Sequence, residues 1–159
     1  MKTLSKDILT GKGLKDIQFG MERSQVKQIM GEPDEVEQYE DEESEEVITE
    51  AWHYDDLELS ISFDKYENWK LSTISVSEAG FTLNGKTIIG LLQGELTDLL
   101  DELNLGQYEV ESWSTEDDDT QDLVTIPHLS INFWISEGKV TEIQWGPLYN
   151  EEEQTIWPN

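Results

Sequence analysis

The groups that could do chemistry in this chain are carboxylates and two imidazoles. Asp and Glu make up 36 of the 159 residues, against 10 Lys and Arg, 2 His and no Cys. Without Cys, neither disulfides nor thiolate chemistry is available. His53 and His128 carry no companion motif: no His-Glu-x-x-His, Gly-x-Ser-x-Gly or Cys-based metal spacing occurs. Each reads as an ordinary strand residue rather than a ligand. Carboxylates are so abundant that any pair would serve as acid and base, so none is singled out. Asp117, Asp118 and Asp119 would hold a divalent cation weakly, but the Asp-x-Asp-x-Asp-Gly order of a calcium loop is missing. No catalytic residue, metal site or cofactor is therefore expected. The chain reads as a binding protein, not an enzyme.

Charge narrows the partner. A formal net charge of −26 repels phosphates and anionic membrane surfaces and attracts basic proteins. Neither direct nucleic-acid binding nor membrane binding is expected. The acids gather in two runs, Glu40 to Glu46 and Glu116 to Asp119. Charged hairpin tips are also ordinary solubility devices, so a partner-binding role and a solvated coat both remain open. The segment Met1 to Asp7 is too polar for a signal sequence and no stretch nears the length of a membrane span, so a cytoplasmic protein is expected.

The elements that position these groups follow from periodicity. Leu59-Ser60-Ile61-Ser62-Phe63 recurs as Leu129-Ser130-Ile131-Asn132-Phe133, 70 residues on, and both alternate apolar with polar like half-buried strands. At the same offset Phe19-Gly20-Met21 falls on Ile89-Gly90-Leu91, and Val26, Ile29 and Met30 fall on Leu96, Leu99 and Leu100. Such self-similarity marks a duplicated unit. Helices are predicted around Val26–Met30, stopped by Gly31 and Pro33, and over Glu95–Asn104. A short helix is predicted around Leu4, Ile8 and Leu9, in a basic segment (Lys2, Lys6, Lys12, Lys15) expected to lie against the acidic body. Strands are predicted over 34–39, 47–54, 57–63, 71–77, 108–113, 123–126, 129–135 and 140–145.

The fold expected is α+β: two tandem helix-plus-four-strand repeats, 1–80 and 81–150, forming one curved antiparallel sheet with helices on one face. An acidic tail, 151–159, would complete a single compact domain. Helices covering Leu59, Ile61, Phe63, Ile131 and Phe133 would leave Ser60, Ser62, Asn132 and Trp134 on an open face. With Glu42, Glu43, Glu45, Asp117, Asp118 and Asp119 at the two tips, these are the candidate partner-binding residues. Trp is enriched among residues that dominate binding energy. Cross-strand packing against Glu142 or Gln144 is the other role for Trp134.

Phe19-Gly20-Met21, Val26 and Gly31-Glu32-Pro33-Asp34 carry a resemblance. The pattern is similar to repeat units of the β-lactamase-inhibitor-protein-like fold and of small outer-membrane lipoproteins of barrel assembly. It is degenerate in the second half, where Asn104 stands at the position of Asp34. The resemblance implies a sheet whose open face grips a protein. Cytoplasmic proteins of this build also resemble immunity proteins of bacterial toxin systems. The function expected is therefore neutralisation of a cognate toxin, a basic nuclease, by occluding its substrate cleft. The alternative is an acidic nucleic-acid mimic or adaptor directed at a DNA-binding protein.

Overall fold

This computed structural model describes residues 5–114 and 120–158. In chain order its elements are β1 (Asp7–Ile8), α1 (Arg23–Met30), β2 (Glu35–Glu40), β3 (Val47–Tyr54), β4 (Leu59–Asp64), β5 (Lys70–Val76), β6 (Thr82–Leu83) and β7 (Lys86–Thr87). There follow α2 (Gln93–Leu103), β8 (Glu109–Ser114), β9 (Thr120–Ile126), β10 (Ile131–Ser136), β11 (Lys139–Trp145), β12 (Leu148–Tyr149) and β13 (Thr155–Ile156). Eight strands make one antiparallel sheet in the order β2-β3-β4-β5-β11-β10-β9-β8.

The expected α+β architecture of two tandem helix-plus-four-strand repeats is corrected by this arrangement. The described residues are mostly β, 46% strand against 19% helix, with only two α-helices among them and one large sheet as the frame. Five further short strands belong to no such unit. One of them ties the ends of the proposed first unit into the second: β1 pairs in parallel with β6, joining Asp7 to Thr82 and Ile8 to Leu83 across the supposed boundary at residue 80. That pairing also replaces the helix predicted around Ile8. Three apolar residues at helical spacing are too few to nucleate a helix against a competing strand partner. Lys6 nonetheless lies against an acid of its own chain, with its Nζ 2.7 Å from Glu78.

Alternation within the strands builds the core. Leu59, Ile61 and Phe63 of β4, Ile74 and Val76 of β5, Ile131, Phe133 and Ile135 of β10, and Val140 and Ile143 of β11 are all buried. They share one apolar cluster with Val26 of α1 and with Leu96 and Leu100 of α2. Burying each such side chain contributes roughly 1.5–3 kcal/mol. Each helix is docked by a reciprocal pair of backbone hydrogen bonds. Gly20 N–H donates to Leu71 O and Leu71 N–H to Met21 O, at 3.0 and 2.8 Å. Gly90 N–H donates to Val140 O and Val140 N–H to Leu91 O, at 2.8 and 2.9 Å.

Local capping sets the helix ends. The Glu22 N–H donates to Gln25 Oε1 and the Leu92 N–H to Glu95 Oε1, both at 2.9 Å, so each helix satisfies a donor ahead of its first turn. Gly31 closes α1 at φ +83°, a left-handed value that a side chain would strain. The Tyr54 hydroxyl donates to Gly31 O at 2.9 Å and pins that end to β3. Burial, reinforced by Glu32 and Asp34, pushes the Tyr54 phenol up to about 12. At the other end of the chain, β13 pairs with β12, and Thr155 Oγ1 donates to the Glu67 carboxylate at 3.1–3.2 Å.

The central junction decides the outline of the sheet. β5 and β11 pair over only three positions: Val76 with Ile143, Ser75 with Gln144, and Ile74 with Trp145. Their antiparallel overlap puts Lys70 and Lys139 at opposite ends of the sheet. The turn at 41–46 joins β2 to β3 at the Lys70 end, where Asp64 faces Lys70 and Thr49 faces Asp64. Ser114 and Thr120 face each other at the Lys139 end, beyond the Ser136–Gln121 pair.

Candidate functional site

The face opposite the core carries an unbroken polar row. Period-two alternation aims one residue of each strand outward, and the register aligns them: Glu35, His53, Ser60, Ser75, Gln144, Asn132, Thr125 and Glu109. Each is the direct cross-strand partner of the next, so the row crosses all eight strands and ends in an acid at both edges. Beside it runs a shorter row of Glu142, Trp134, Leu123 and Glu111.

The short β5–β11 overlap notches this face on either side of the junction. One notch, of about 260 Å³, is lined by His53, Ser60, Ser75, Ser77 and Glu142. The other, of about 290 Å³, is lined by Thr73, Asn132, Gln144 and Tyr149 among others. Glu142 is half-buried, and loss of hydration raises its carboxyl above the ordinary value.

The densest grouping of ionisable atoms lies at the β2 edge. Glu35 and Glu37 project on the same side of β2, and His53 is the cross-strand partner of Glu35. Donor atoms of these three residues all lie within 4.8 Å of one another. His53 Nδ1 is 2.7 Å from Ser60 Oγ. His53 Nε2 is 2.8 Å from Glu37 Oε1 and is shut off from solvent. The other oxygen of Glu37 accepts from the Tyr39 hydroxyl at 3.0 Å. This bond, burial and the charges of Glu37 and Glu35 raise the Tyr39 phenol above its ordinary value.

The structure places the candidates from sequence as follows. Ser60 and Ser62 share the outward face of β4, and Asn132 and Trp134 that of β10, all half-buried. Trp134 stands between Glu142 and Leu123. Glu42, Glu43 and Glu45 are exposed on the turn between β2 and β3, held by Asp41 N–H to Glu46 O and Glu45 N–H to Asp41 O, at 2.8 and 2.9 Å. Asp117, Asp118 and Asp119 lie outside the described residues. The strand ends that flank them, Ser114 and Thr120, occupy the corner diagonally opposite the 41–46 turn.

Sequence reasoning missed the Glu35–Glu37–His53 grouping. The signal lay in Glu-x-Glu on one strand and His on the next, but hairpin register alone brings them together. His128, the other imidazole, lines a separate cleft with Asp101 and Glu109.

No protein-family model matches the chain, and no curated protein matches it. Among solved structures it is similar to an extracellular protein containing a SCP domain from Bacillus anthracis str. Ames, with 12% identity and a TM-score of 0.51. The likeness covers 100% of this chain and 53% of that one, so the chain spans about half the length of that protein. At this identity the likeness is one of fold alone.

Proposed function

We propose that the chain is a binding module that engages a basic protein across the uncovered face of its sheet. The observation that carries this reading is the polar row from Glu35 to Glu109, which borders the two junction notches and lies opposite the core face where both helices among the described residues pack. Such a face offers hydrogen-bonding groups flanked by acids, with Trp134 as an aromatic anchor beside it. A net charge of −26 speeds encounter with a positive partner and disfavours acidic ones. A toxin with a basic substrate cleft is the partner class that this charge suits, and occlusion of that cleft is the activity proposed. An adaptor or mimic directed at a DNA-binding protein draws on the same charge, but not on the polar face.

The test is capture on the immobilised chain at low and high salt, comparing wild type with Asn132→Ala/Trp134→Ala and with Glu42→Gln/Glu43→Gln/Glu45→Gln. The expected result is a basic protein retained at low salt, released at high salt, and lost with the face variant. Stoichiometric inhibition of that protein's activity by the chain would support toxin neutralisation. A captured protein indifferent to salt and to the face substitutions would refute the reading.

A further inference from the structure

We propose that Glu35, Glu37 and His53 form a binding site for a divalent first-row transition metal ion, with zinc the ion that the donor set suits. The site goes beyond the partner-binding reading and does not depend on it.

Three features of the geometry point to a metal rather than to a plain ion pair. The first is convergence: two carboxylates and one imidazole bring donor atoms within 4.8 Å of one another from two adjacent strands. Ligands 2.0–2.2 Å from a common zinc ion stand about 3–4 Å apart, so small side-chain rotations complete the set.

The second feature is the state of His53. Its Nδ1 is engaged by Ser60 Oγ at 2.7 Å, which fixes the ring and leaves Nε2 as the free donor. Nε2 is shielded from water and faces Glu37 Oε1 at 2.8 Å, so it points into the carboxylate pair. A metal ion would take the place of this direct contact, the Glu37 carboxylate swinging back to the about 3–4 Å that two zinc ligands keep.

The third is support around the donors. Ser60 holds His53 and Tyr39 holds Glu37, so two of the three ligands have an oriented outer partner. Glu35 and Glu37 bring an oxygen each to within 4.8 Å of the other, and a divalent cation between them would offset their like charge. Calcium and magnesium take all-oxygen sets, whereas an imidazole with two carboxylates suits zinc, leaving a position for water.

Only two histidines are present in the chain, which makes the test clean. Zinc chloride is titrated into the full, ¹⁵N-labelled protein and both imidazoles are followed by NMR, with affinity measured by calorimetry. The expected result is a one-to-one complex in which the His53 Nε2 resonance moves and His128 does not. Glu35→Gln/Glu37→Gln, on an exposed edge strand, should weaken zinc by about 30-fold, and His53→Gln by at least as much. Glu151→Gln/Glu152→Gln, which removes the same charge elsewhere, should leave affinity unchanged. Calcium should leave His53 unmoved. Equal shifts at both histidines, or equal affinity in the two double variants, would overturn the proposal by revealing diffuse attraction to an acidic surface.

Discussion

His53 and Ser60 face each other across β3 and β4 with Nδ1 and Oγ 2.7 Å apart, and that bond joins the acidic β2 edge to the polar floor of the first junction notch. The Ser60 hydroxyl fixes which ring nitrogen is left for the carboxylates. Ser60→Ala removes the orienting partner and opens little space. Zinc affinity should fall about tenfold, while the melting temperature stays within a few degrees of wild type. An affinity unchanged by the substitution would show that Ser60 does not orient the ring.

Arg23 bridges helix and sheet. Its Nη1 is 3.2 Å from Glu50 Oε2, and its guanidinium stacks 4.7 Å from the centre of the Trp69 ring. Glu50 is 12% exposed at its side chain and also accepts from Trp52 Nε1 at 2.7 Å. Arg23→Ala leaves this carboxylate without its cation and should destabilise the fold by about 1–2 kcal/mol in urea unfolding. Arg23→Lys should recover only part of that loss, because an ammonium lacks the planar stacking surface.

Much of the strand layout was legible in the sequence, because one-sided burial forces alternation. β3 spans Val47–Tyr54 as read, and the Ser60 and Asn132 positions of two matching pentapeptides both project outward. What alternation does not encode is pairing between distant segments. The parallel β1–β6 contact turned a predicted helix at Ile8 into a strand and crossed the supposed unit boundary. The three-position overlap of β5 and β11, set by tertiary packing, sends the 41–46 turn and the strand ends Ser114 and Thr120 to opposite corners. The convergence of Glu35, Glu37 and His53 rests on the register across a six-residue turn, where a slip of one position would face His53 with Val36 or Asp34 instead.

Gly106 approaches His128 closely enough that an added Cβ would overlap the imidazole ring, and its φ of +99° already excludes comfortable substitution. Gly106→Ala should therefore cost about 2–3 kcal/mol, combining backbone strain with steric conflict. Removing the ring should relieve the second part only. A double-mutant cycle with His128→Ala should return a coupling of at least about 0.5 kcal/mol. Strict additivity would mean that backbone conformation accounts for the whole cost.

Glu142 presents the opposite case, a charge the fold tolerates rather than uses. It is half-buried in the junction notch, and lost hydration raises its carboxyl in the folded protein. A raised acid binds more protons folded than unfolded, so its contribution to stability declines as pH rises through the folded value. The penalty is complete at neutral pH and vanishes once both states are protonated. Glu142→Gln should raise the melting temperature at pH 7 by about 1–2 °C, and the difference should close as pH falls through the carboxylate range. Because removing any acid from so negative a chain relieves repulsion, the comparison is with Glu151→Gln, an exposed site. An equal gain at both positions would show that overall charge, not burial in the notch, sets the effect.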